Sequence, residues 1–248
     1  MKLANKVSLV TGFDSETGRA IAVALAREGS KIAGCCKSAD QGQQSLRAVE
    51  EVGGEGILVT GDVSETAAAE TIVKATANKY GRLDILVNYG AARRIVGSVM
   101  DVTEKDFDEE MTVDLKGLIV LSRAVIPVME KGGGGSIVNL SSIAGSGVKG
   151  RALRSASKAG VNALTVAMAS DHGHQGIRVN GLLVGPTLTA QIKSRPEQVK
   201  QLKGDAVLKR LHTPEDVGAA VLFFASDDSK NITGALLPLD AGRSLPTY

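Results

Sequence analysis

Short runs of apolar residues alternate along the chain with longer segments in which apolar residues recur every three or four positions. The short runs predict buried strands, and the longer segments predict amphipathic helices. Strands are expected at residues 6–11, 31–36, 56–63, 83–88, 135–142, 176–184 and 234–240. Helices are expected between them at residues 18–29, 42–52, 65–79, 104–130, 152–173 and 213–226.

Repeated strand–helix units whose strands are apolar throughout indicate an α/β fold, with a parallel sheet covered by helices on both faces. No proline-rich linker or block of charge interrupts the pattern. We therefore expect residues 1–248 to form a single doubly wound Rossmann-type domain with a parallel seven-stranded sheet. A ligand of such a domain binds beyond the carboxyl ends of the strands, where the strand order reverses.

The composition argues against several classes of function. A net charge of +2 is too small to indicate a polyanionic partner. Aromatic residues make up only 3% of the chain and tryptophan is absent, which argues against a surface that stacks nucleic-acid bases. No apolar run approaches the roughly 18 residues that a membrane span needs, and we expect no signal peptide before the first strand. We expect a soluble cytoplasmic protein that binds neither nucleic acid nor membrane.

The two cysteines, Cys35 and Cys36, are adjacent in the chain. Neighbouring residues in a strand point to opposite faces, so a disulfide between them is not expected, and free thiols fit a reducing compartment. A lone pair of cysteines also lacks the further ligands and the spacing of a metal centre. No metal site is expected.

The segment TGFDSETGRA follows the first strand and opens the first helix. Dinucleotide-binding folds hold a pyrophosphate at this place, because glycines let the backbone approach and the helix start supplies N–H donors. Glu16 adds a carboxylate there, and it would repel a phosphate by about 1 kcal/mol in water and by several in a partly buried site. Alternatively, Glu16 points into solvent and favours the helix start, where acidic side chains are stabilising.

Motifs along the whole chain resemble those of the short-chain dehydrogenase/reductase family. The turn resembles TGxxxGxG, with Gly12 and Gly18 at its first and third glycines and Glu16 at the second. Further resemblances are GDV (61–63), LVNYGA (86–91), VDLKG (113–117), IVNLSSIAG (137–145), RSASK (154–158), IRVNGLLVGPTLT (177–189) and LDAG (239–242).

The resemblance implies a site for NADP(H) or NAD(H). The positions that it assigns to this cofactor are Gly12, Ser15, Glu16, Gly18, Lys37, Asp62, Val63, Asn88, Gly90, Lys158, Gly185, Pro186 and Thr189. Asn88 is expected to face the cofactor, and strand alternation then turns Tyr89 away. Cys36 stands where an acidic residue would select NAD(H), and Lys37 follows it, which favours NADP(H); a solvated surface lysine is the alternative.

The resemblance also implies a catalytic group of asparagine, serine, tyrosine and lysine. Ser142 and Lys158 match the serine and the lysine, whereas Asp114 stands at the asparagine position and Arg154 at the tyrosine position. Arginine stays protonated, so it cannot donate a proton and recover it, and losing acid–base help typically costs about 10²–10⁴ in rate. We expect Asp114 to pair with Lys158, Arg154 or both, because an unpaired buried charge is costly.

Three functions stay open at this point. The first is a family member whose catalytic group is degraded and whose hydride and proton cycle is impaired or lost. The second is a working NADP(H)-dependent carbonyl reductase or alcohol dehydrogenase with an altered proton path. The third is a non-redox catalyst, or a protein that binds an anionic small molecule.

Basic residues on loops near the expected cleft support an anionic ligand, although solvated loop charges explain them as well. These residues are Arg93, Arg94, Lys149, Arg151, Arg154, Lys193 and Arg195. The resemblance further implies a homotetramer or homodimer formed through the two long helices. The apolar positions available for such an interface, or for the core, are Leu118, Leu121, Val125, Val161, Leu164 and Met168.

Overall fold

A computed structural model describes residues 1–90 and 95–245 of the chain. Seven strands within these ranges form a parallel sheet in the order β3-β2-β1-β4-β5-β6-β7. The strands are β1 (Val7–Thr11), β2 (Lys31–Cys36), β3 (Gly56–Thr60), β4 (Ile85–Asn88), β5 (Gly135–Ser142), β6 (Ile177–Val184) and β7 (Leu236–Leu239). The order reverses between β1 and β4, so the expected switch point lies between these two strands.

Helices cover both faces of the sheet. One face packs against α1 (Glu16–Arg27), α2 (Ala39–Glu51) and α9 (Pro214–Ala225), and the other packs against α3 (Thr66–Tyr80), α5 (Gly117–Lys131) and α6 (Ala152–His172). The other α-helices of the described residues are α4 (Glu104–Met111), α7 (Ala190–Lys193) and α8 (Pro196–Gly204). The predicted α/β fold, a doubly wound Rossmann-type domain with seven parallel strands, is confirmed.

Alternation along the strands divides the core between the two faces. In β1, Leu9 packs into the cluster under α3, α5 and α6, and Val10 packs into the cluster under α1, α2 and α9. Both side chains are fully buried, which explains why the strand is apolar at consecutive positions. The apolar runs of the sequence therefore reflect a sheet that is covered on both sides.

The structure refines several predicted elements. The expected helix at 104–130 is divided by a π-helical turn at Thr112–Lys116, which carries Asp114. The short helices α7 and α8 were not predicted, because α7 is only four residues long and α8 buries none of its side chains. Strand β3 ends at Thr60, so Asp62 and Val63 lie beyond the sheet.

The apolar positions considered for a subunit interface belong to the core of this chain. Five of the six are buried, and Leu164 packs partly buried against the same cluster. The buried five are Leu118, Leu121, Val125, Val161 and Met168. The core interpretation of these residues is therefore confirmed, whereas Ile119 on α5 and Val166 on α6 are exposed.

Candidate active site

Two cavities lie at the carboxyl ends of the strands, on either side of the switch point. The larger has a volume of about 340 Å³ and is lined by the start of α6, so we call it the α6 cavity. The smaller has a volume of about 170 Å³ and is lined by the end of β2, so we call it the β2 cavity. Tyr89 and Gly90, which follow β4, line both cavities.

The two cavities contain many of the residues expected at the cofactor site or in the catalytic group. In the α6 cavity these are Gly90, Ser142, Arg154, Lys158, Gly185, Pro186 and Thr189. In the β2 cavity they are Gly12, Lys37, Asp62, Val63 and Gly90.

The turn between β1 and α1 requires glycine at two positions. Gly12 has a φ of +61°, and a Cβ there would come within 2.7 Å of the Tyr89 ring. A Cβ on Gly18 would lie 2.1 Å from the carbonyl oxygen of Gly12, so only glycine fits. Ser15 caps α1: its Oγ accepts from the Gly18 N–H at 2.9 Å and donates to the Gly12 carbonyl at 2.7 Å.

Glu16 is the first residue of α1, and its carboxylate reaches across the cleft. Its two oxygens accept from the backbone N–H of Ala190, at 3.1 and 3.0 Å. Ala190 begins α7 and directly follows Thr189, so the carboxylate joins the glycine turn to the segment after β6. The alternative in which Glu16 simply points into solvent is therefore wrong.

Buried charges cluster behind the α6 cavity. Asp114 pairs with Lys158 through its Oδ1 at 3.3 Å and with Arg154 through its Oδ2 at 3.3 Å. The Lys158 Nζ also donates to the Leu140 carbonyl at 3.2 Å. The predicted pairing of Asp114 is confirmed, and it includes both cations.

Glu110 is a member of this cluster that the sequence analysis missed. Its carboxylate is fully buried, and its Oε1 lies 3.6 Å from the Arg154 Nη1. The Ser157 Oγ lies 3.2 Å from the Glu110 Oε1 and 3.4 Å from the Asp114 Oδ2, so this hydroxyl stands between the two carboxyl groups. Glu110 precedes Asp114 by four residues, and this one-turn spacing is the signal that could have revealed it.

Burial shifts the pKa values of two members of the cluster in the directions that favour their uncharged forms. Desolvation raises the pKa of Glu110 above its ordinary value, and the charge of Asp114 raises this pKa further. Desolvation lowers the pKa of Lys158, although the charge of Asp114 opposes that shift. The cluster therefore holds an acid that retains its proton more readily than an exposed glutamate.

Ser142 ends β5 and lines the α6 cavity beside Lys158. Its Oγ accepts from the Ala144 N–H at 3.2 Å. Because the hydroxyl is engaged there as an acceptor, its own proton is available to a ligand oxygen in the cavity.

The β2 cavity carries charges of both signs. Lys37 pairs with Asp62, which also accepts from the Ser64 backbone and hydroxyl at 3.0 and 2.8 Å. Burial opposes ionisation of Asp62, but these bonds outweigh it and lower the pKa of its carboxyl. Asp14 lines the same cavity, and its side chain has no hydrogen-bond or ion-pair partner among the described residues.

Cys35 and Cys36 are both free and buried at the end of β2. Burial raises the pKa of Cys35 to about 12 and that of Cys36 to about 11. Both side chains are therefore neutral thiols at physiological pH, and they offer a ligand apolar surface rather than a nucleophile.

The expected orientations of Asn88 and Tyr89 are wrong. The Asn88 Nδ2 donates to the Asn139 Oδ1 at 2.9 Å and to the Ser122 Oγ at 3.2 Å, so its side chain lies in the core. Strand β4 ends at Asn88, and the Tyr89 N–H donates to the Thr11 Oγ1 at 2.8 Å. The alternation of a strand does not extend to Tyr89, whose side chain faces the cavities instead.

The basic residues proposed for an anionic ligand separate into groups. Arg151 and Arg154 line the α6 cavity, together with Arg243, which the sequence analysis did not select. The side chains of Lys149, Lys193 and Arg195 are exposed at the surface, away from the residues that line this cavity. Arg93 and Arg94, like Ala91, lie outside the described residues.

Comparison with known proteins identifies the family. The family model described as enoyl-(acyl carrier protein) reductase matches residues 14–244. The chain belongs to the short-chain dehydrogenase/reductase family. It is 38% identical to an uncharacterized oxidoreductase of Thermotoga maritima, with 98% of each chain covered. It is 35% identical to human dehydrogenase/reductase SDR family member 4, covering 97% of this chain and 88% of the human one.

Solved structures agree with this family assignment. NAD⁺-bound xylitol dehydrogenase superposes with a TM-score of 0.92 at 29% identity, covering 98% of this chain and all of the dehydrogenase. Like that protein, this short-chain dehydrogenase/reductase homologue belongs to a family of oxidoreductases. Its residues 1–90 and 95–245 include no helix both long and apolar enough to cross a membrane. The same ranges contain no group of three or more His, Cys, Asp or Glu side chains placed to hold a metal ion.

Proposed function

We propose that this protein binds a nicotinamide dinucleotide across the two cavities, and that its redox cycle is slow because Arg154 occupies the position of the proton donor. The β2 cavity takes the adenosine half, beside Asp62 and Val63, and the α6 cavity takes the nicotinamide half. The glycine turn supports this placement, because a Cβ at Gly12 or Gly18 would collide with neighbouring atoms, and a dinucleotide-binding turn needs glycines for such close packing. The cofactor, when bound, supplies or accepts the hydride.

The cavity residues have separate roles in this proposal. The Ser142 hydroxyl donates a hydrogen bond to the substrate oxygen, and Lys158 lies beside it with its charge balanced by Asp114. Arg154 stabilises negative charge on that oxygen but retains its own proton. Its guanidinium is held in contact with the carboxyl groups of Asp114 and Glu110, at 3.3 and 3.6 Å. This pairing is the observation that carries the proposal.

One observation favours a working oxidoreductase with a different proton path. Glu110 is a buried acid with a raised pKa, and Ser157 lies between it and Asp114. In this path Lys158 gives a proton to the substrate oxygen and recovers one from Asp114, while Asp114 takes the proton of the Ser157 hydroxyl and Ser157 takes that of Glu110. If this path operates, the rate falls as Glu110 loses its proton, and Glu110→Gln abolishes turnover without preventing cofactor binding.

We propose that the protein has only a weak preference between NADP(H) and NAD(H). Lys37 would attract the 2′-phosphate of NADP(H), but it already pairs with Asp62. Asp14 lines the same cavity and would repel that phosphate. The two side chains therefore act in opposite directions, and Lys37 alone does not give a strong preference for NADP(H).

We also propose a cytoplasmic homotetramer or homodimer. The free thiols of Cys35 and Cys36 support a reducing compartment. The exposed apolar residues Ile119 and Val166 on the outer surfaces of α5 and α6 support contact between subunits. Sedimentation of the purified protein at several concentrations tests the assembly.

The deciding experiment separates binding from turnover. NADH and NADPH are titrated against the purified protein by calorimetry, and oxidation of each is then followed with a panel of ketones and aldehydes. We expect measurable binding with little turnover. Absence of binding at millimolar cofactor overturns the proposal, and rapid turnover by the unmodified protein replaces it with the proton path through Glu110.

A further inference from the structure

The charges that line the α6 cavity are unbalanced. Its four cations are Arg151, Arg154, Lys158 and Arg243, and no acidic side chain among the described residues lines it. Lys158 pairs with Asp114, Arg154 pairs with Asp114 and lies 3.6 Å from Glu110, and Arg243 pairs with Asp205 at 2.9 Å. Arg151 therefore differs from the other three.

Arg151 has no anionic partner within the described part of the chain. Its Nη1 is buried and makes no hydrogen bond there. The residue stands at the start of α6, where the helix dipole adds positive potential, and its backbone is held by the Val148 carbonyl at 3.1 Å. A buried guanidinium N–H without an acceptor favours a ligand that brings one.

A second unsatisfied group lies in another wall of the same cavity. Gln198, from α8, has a buried Oε1 that accepts no hydrogen bond from the described residues. Arg151 and Gln198 therefore both line the α6 cavity, and each has a buried polar atom, one a cationic donor and the other a neutral acceptor, that the described residues leave without a hydrogen-bond partner. A matching ligand carries an anionic acceptor and a hydrogen-bond donor.

We propose that the α6 cavity binds a small hydroxycarboxylic acid, with its carboxylate on Arg151 and a hydroxyl donating to Gln198. A guanidinium holds a carboxylate through two parallel N–H···O bonds, which a neutral ester cannot reproduce. The cavity volume of about 340 Å³ suits a small molecule. That the acid is the substrate rests on the proposed function, whereas its binding to the α6 cavity does not.

Calorimetry with three probes tests the assignment. The probes are 3-hydroxybutanoate, its methyl ester and butanoate, each titrated with and without NADH. We expect the hydroxy acid to bind at least about tenfold more tightly than the ester, because the ester leaves Arg151 unpaired. We expect butanoate to bind more weakly than the hydroxy acid, because it lacks the donor for Gln198.

Matched variants locate the site. Arg151→Gln is expected to weaken binding of the acid by about tenfold or more and to leave the ester unchanged. Lys149→Gln is the control, because Lys149 lies two residues away on the exposed loop; it should leave the affinity of the acid unchanged. Gln198→Leu should lower the affinity for the hydroxy acid to that for butanoate.

The outcomes distinguish this inference from the proposed function. Equal affinity for acid and ester, or an Arg151→Gln variant that binds the acid normally, overturns the inference. Should Arg151→Gln fail to fold, Arg151→Lys retains the charge without the paired N–H groups, and it must still weaken binding of the acid. Acid binding in a protein that binds no NADH supports the inference and overturns the proposed function.

Discussion

The Glu16 carboxylate is held by the backbone N–H of Ala190, with oxygen–nitrogen distances of 3.1 and 3.0 Å. This contact spans the mouth of the cleft between the glycine turn and the start of α7. The carboxylate supplies the negative charge that the start of α1 favours. A dinucleotide that enters the cleft must therefore displace this side chain or accept its repulsion.

Replacing Glu16 by glycine should tighten dinucleotide binding. The variant removes both the charge and the bond to Ala190, and a gain of about 1 kcal/mol corresponds to roughly a fivefold lower Kd. Titration of NADH and NADPH measures it. Glu16→Gln is the matched control: it retains the length of the side chain, so it separates repulsion from steric blockage. An unchanged or higher Kd in the glycine variant would show that Glu16 does not oppose the cofactor.

Introducing a phenol at position 154 should increase carbonyl reduction. Arg154→Tyr leaves Asp114 without one of its two cations, so the variant is best made together with Asp114→Asn. We expect an increase of about 10²–10⁴ in kcat, the usual contribution of general acid catalysis. Arg154→Phe with Asp114→Asn has the ring without the hydroxyl, and it should stay inactive. Equal rates for the two double variants would contradict proton donation as the missing step.

Two substitutions should shift coenzyme preference in opposite directions. Asp14→Asn removes the charge that repels a 2′-phosphate, and Lys37→Gln removes the one that attracts it. Each change should alter the ratio of the Kd values for NADP(H) and NAD(H) by up to about tenfold. Competitive titration with both coenzymes checks the two shifts. If both variants move the ratio the same way, the β2 cavity does not contain the adenosine ribose.

Breaking the buried charge pair should destabilise the fold far more than breaking the exposed one. Asp114→Ala leaves the buried Lys158 without its counter-ion, so we expect the free energy of unfolding to fall by about 3–5 kcal/mol. Lys37→Ala breaks the exposed pair with Asp62 and should cost about 0–1 kcal/mol. Urea denaturation of both variants compares them. Similar losses would mean that Lys158 loses its charge when Asp114 is removed.

Glu110 should make stability depend on pH. Its pKa is raised above the ordinary 4.5 in the folded protein, so the folded state binds more protons than the unfolded chain above pH 4.5. The stabilisation is fully present below that pH and is lost as pH rises through the folded pKa.

Glu110→Gln isolates this contribution, because glutamine resembles the protonated acid and does not titrate. The variant should gain stability relative to the parent as pH rises from 5 to 8, whereas the effect of His212, whose pKa burial lowers, cancels in the difference. Urea denaturation at several pH values gives this difference. A constant difference between the two proteins would show that Glu110 does not titrate in this range.

The sequence by itself determined the α/β fold and the order of the family motifs along the chain. Apolar strands at consecutive buried positions, as in β1, fix a sheet covered on both faces, because only such a sheet hides both sides of a strand. The four-residue spacing of Arg154 and Lys158 places them on one side of a helix. The pairing of Asp114 with these cations could be predicted from the family resemblance, because positions 114 and 154 border the same pocket in that family.

Other features were decided by the tertiary structure alone. Glu16 meets Ala190, and Arg151 and Gln198 line the same cavity, although these residues are far apart in the chain. Tyr89 turns toward the cleft because β4 ends one residue before it. Sequence patterns record the local period of burial, whereas the pairing of a charge depends on which distant side chains the packed helices and strands bring within a few ångströms.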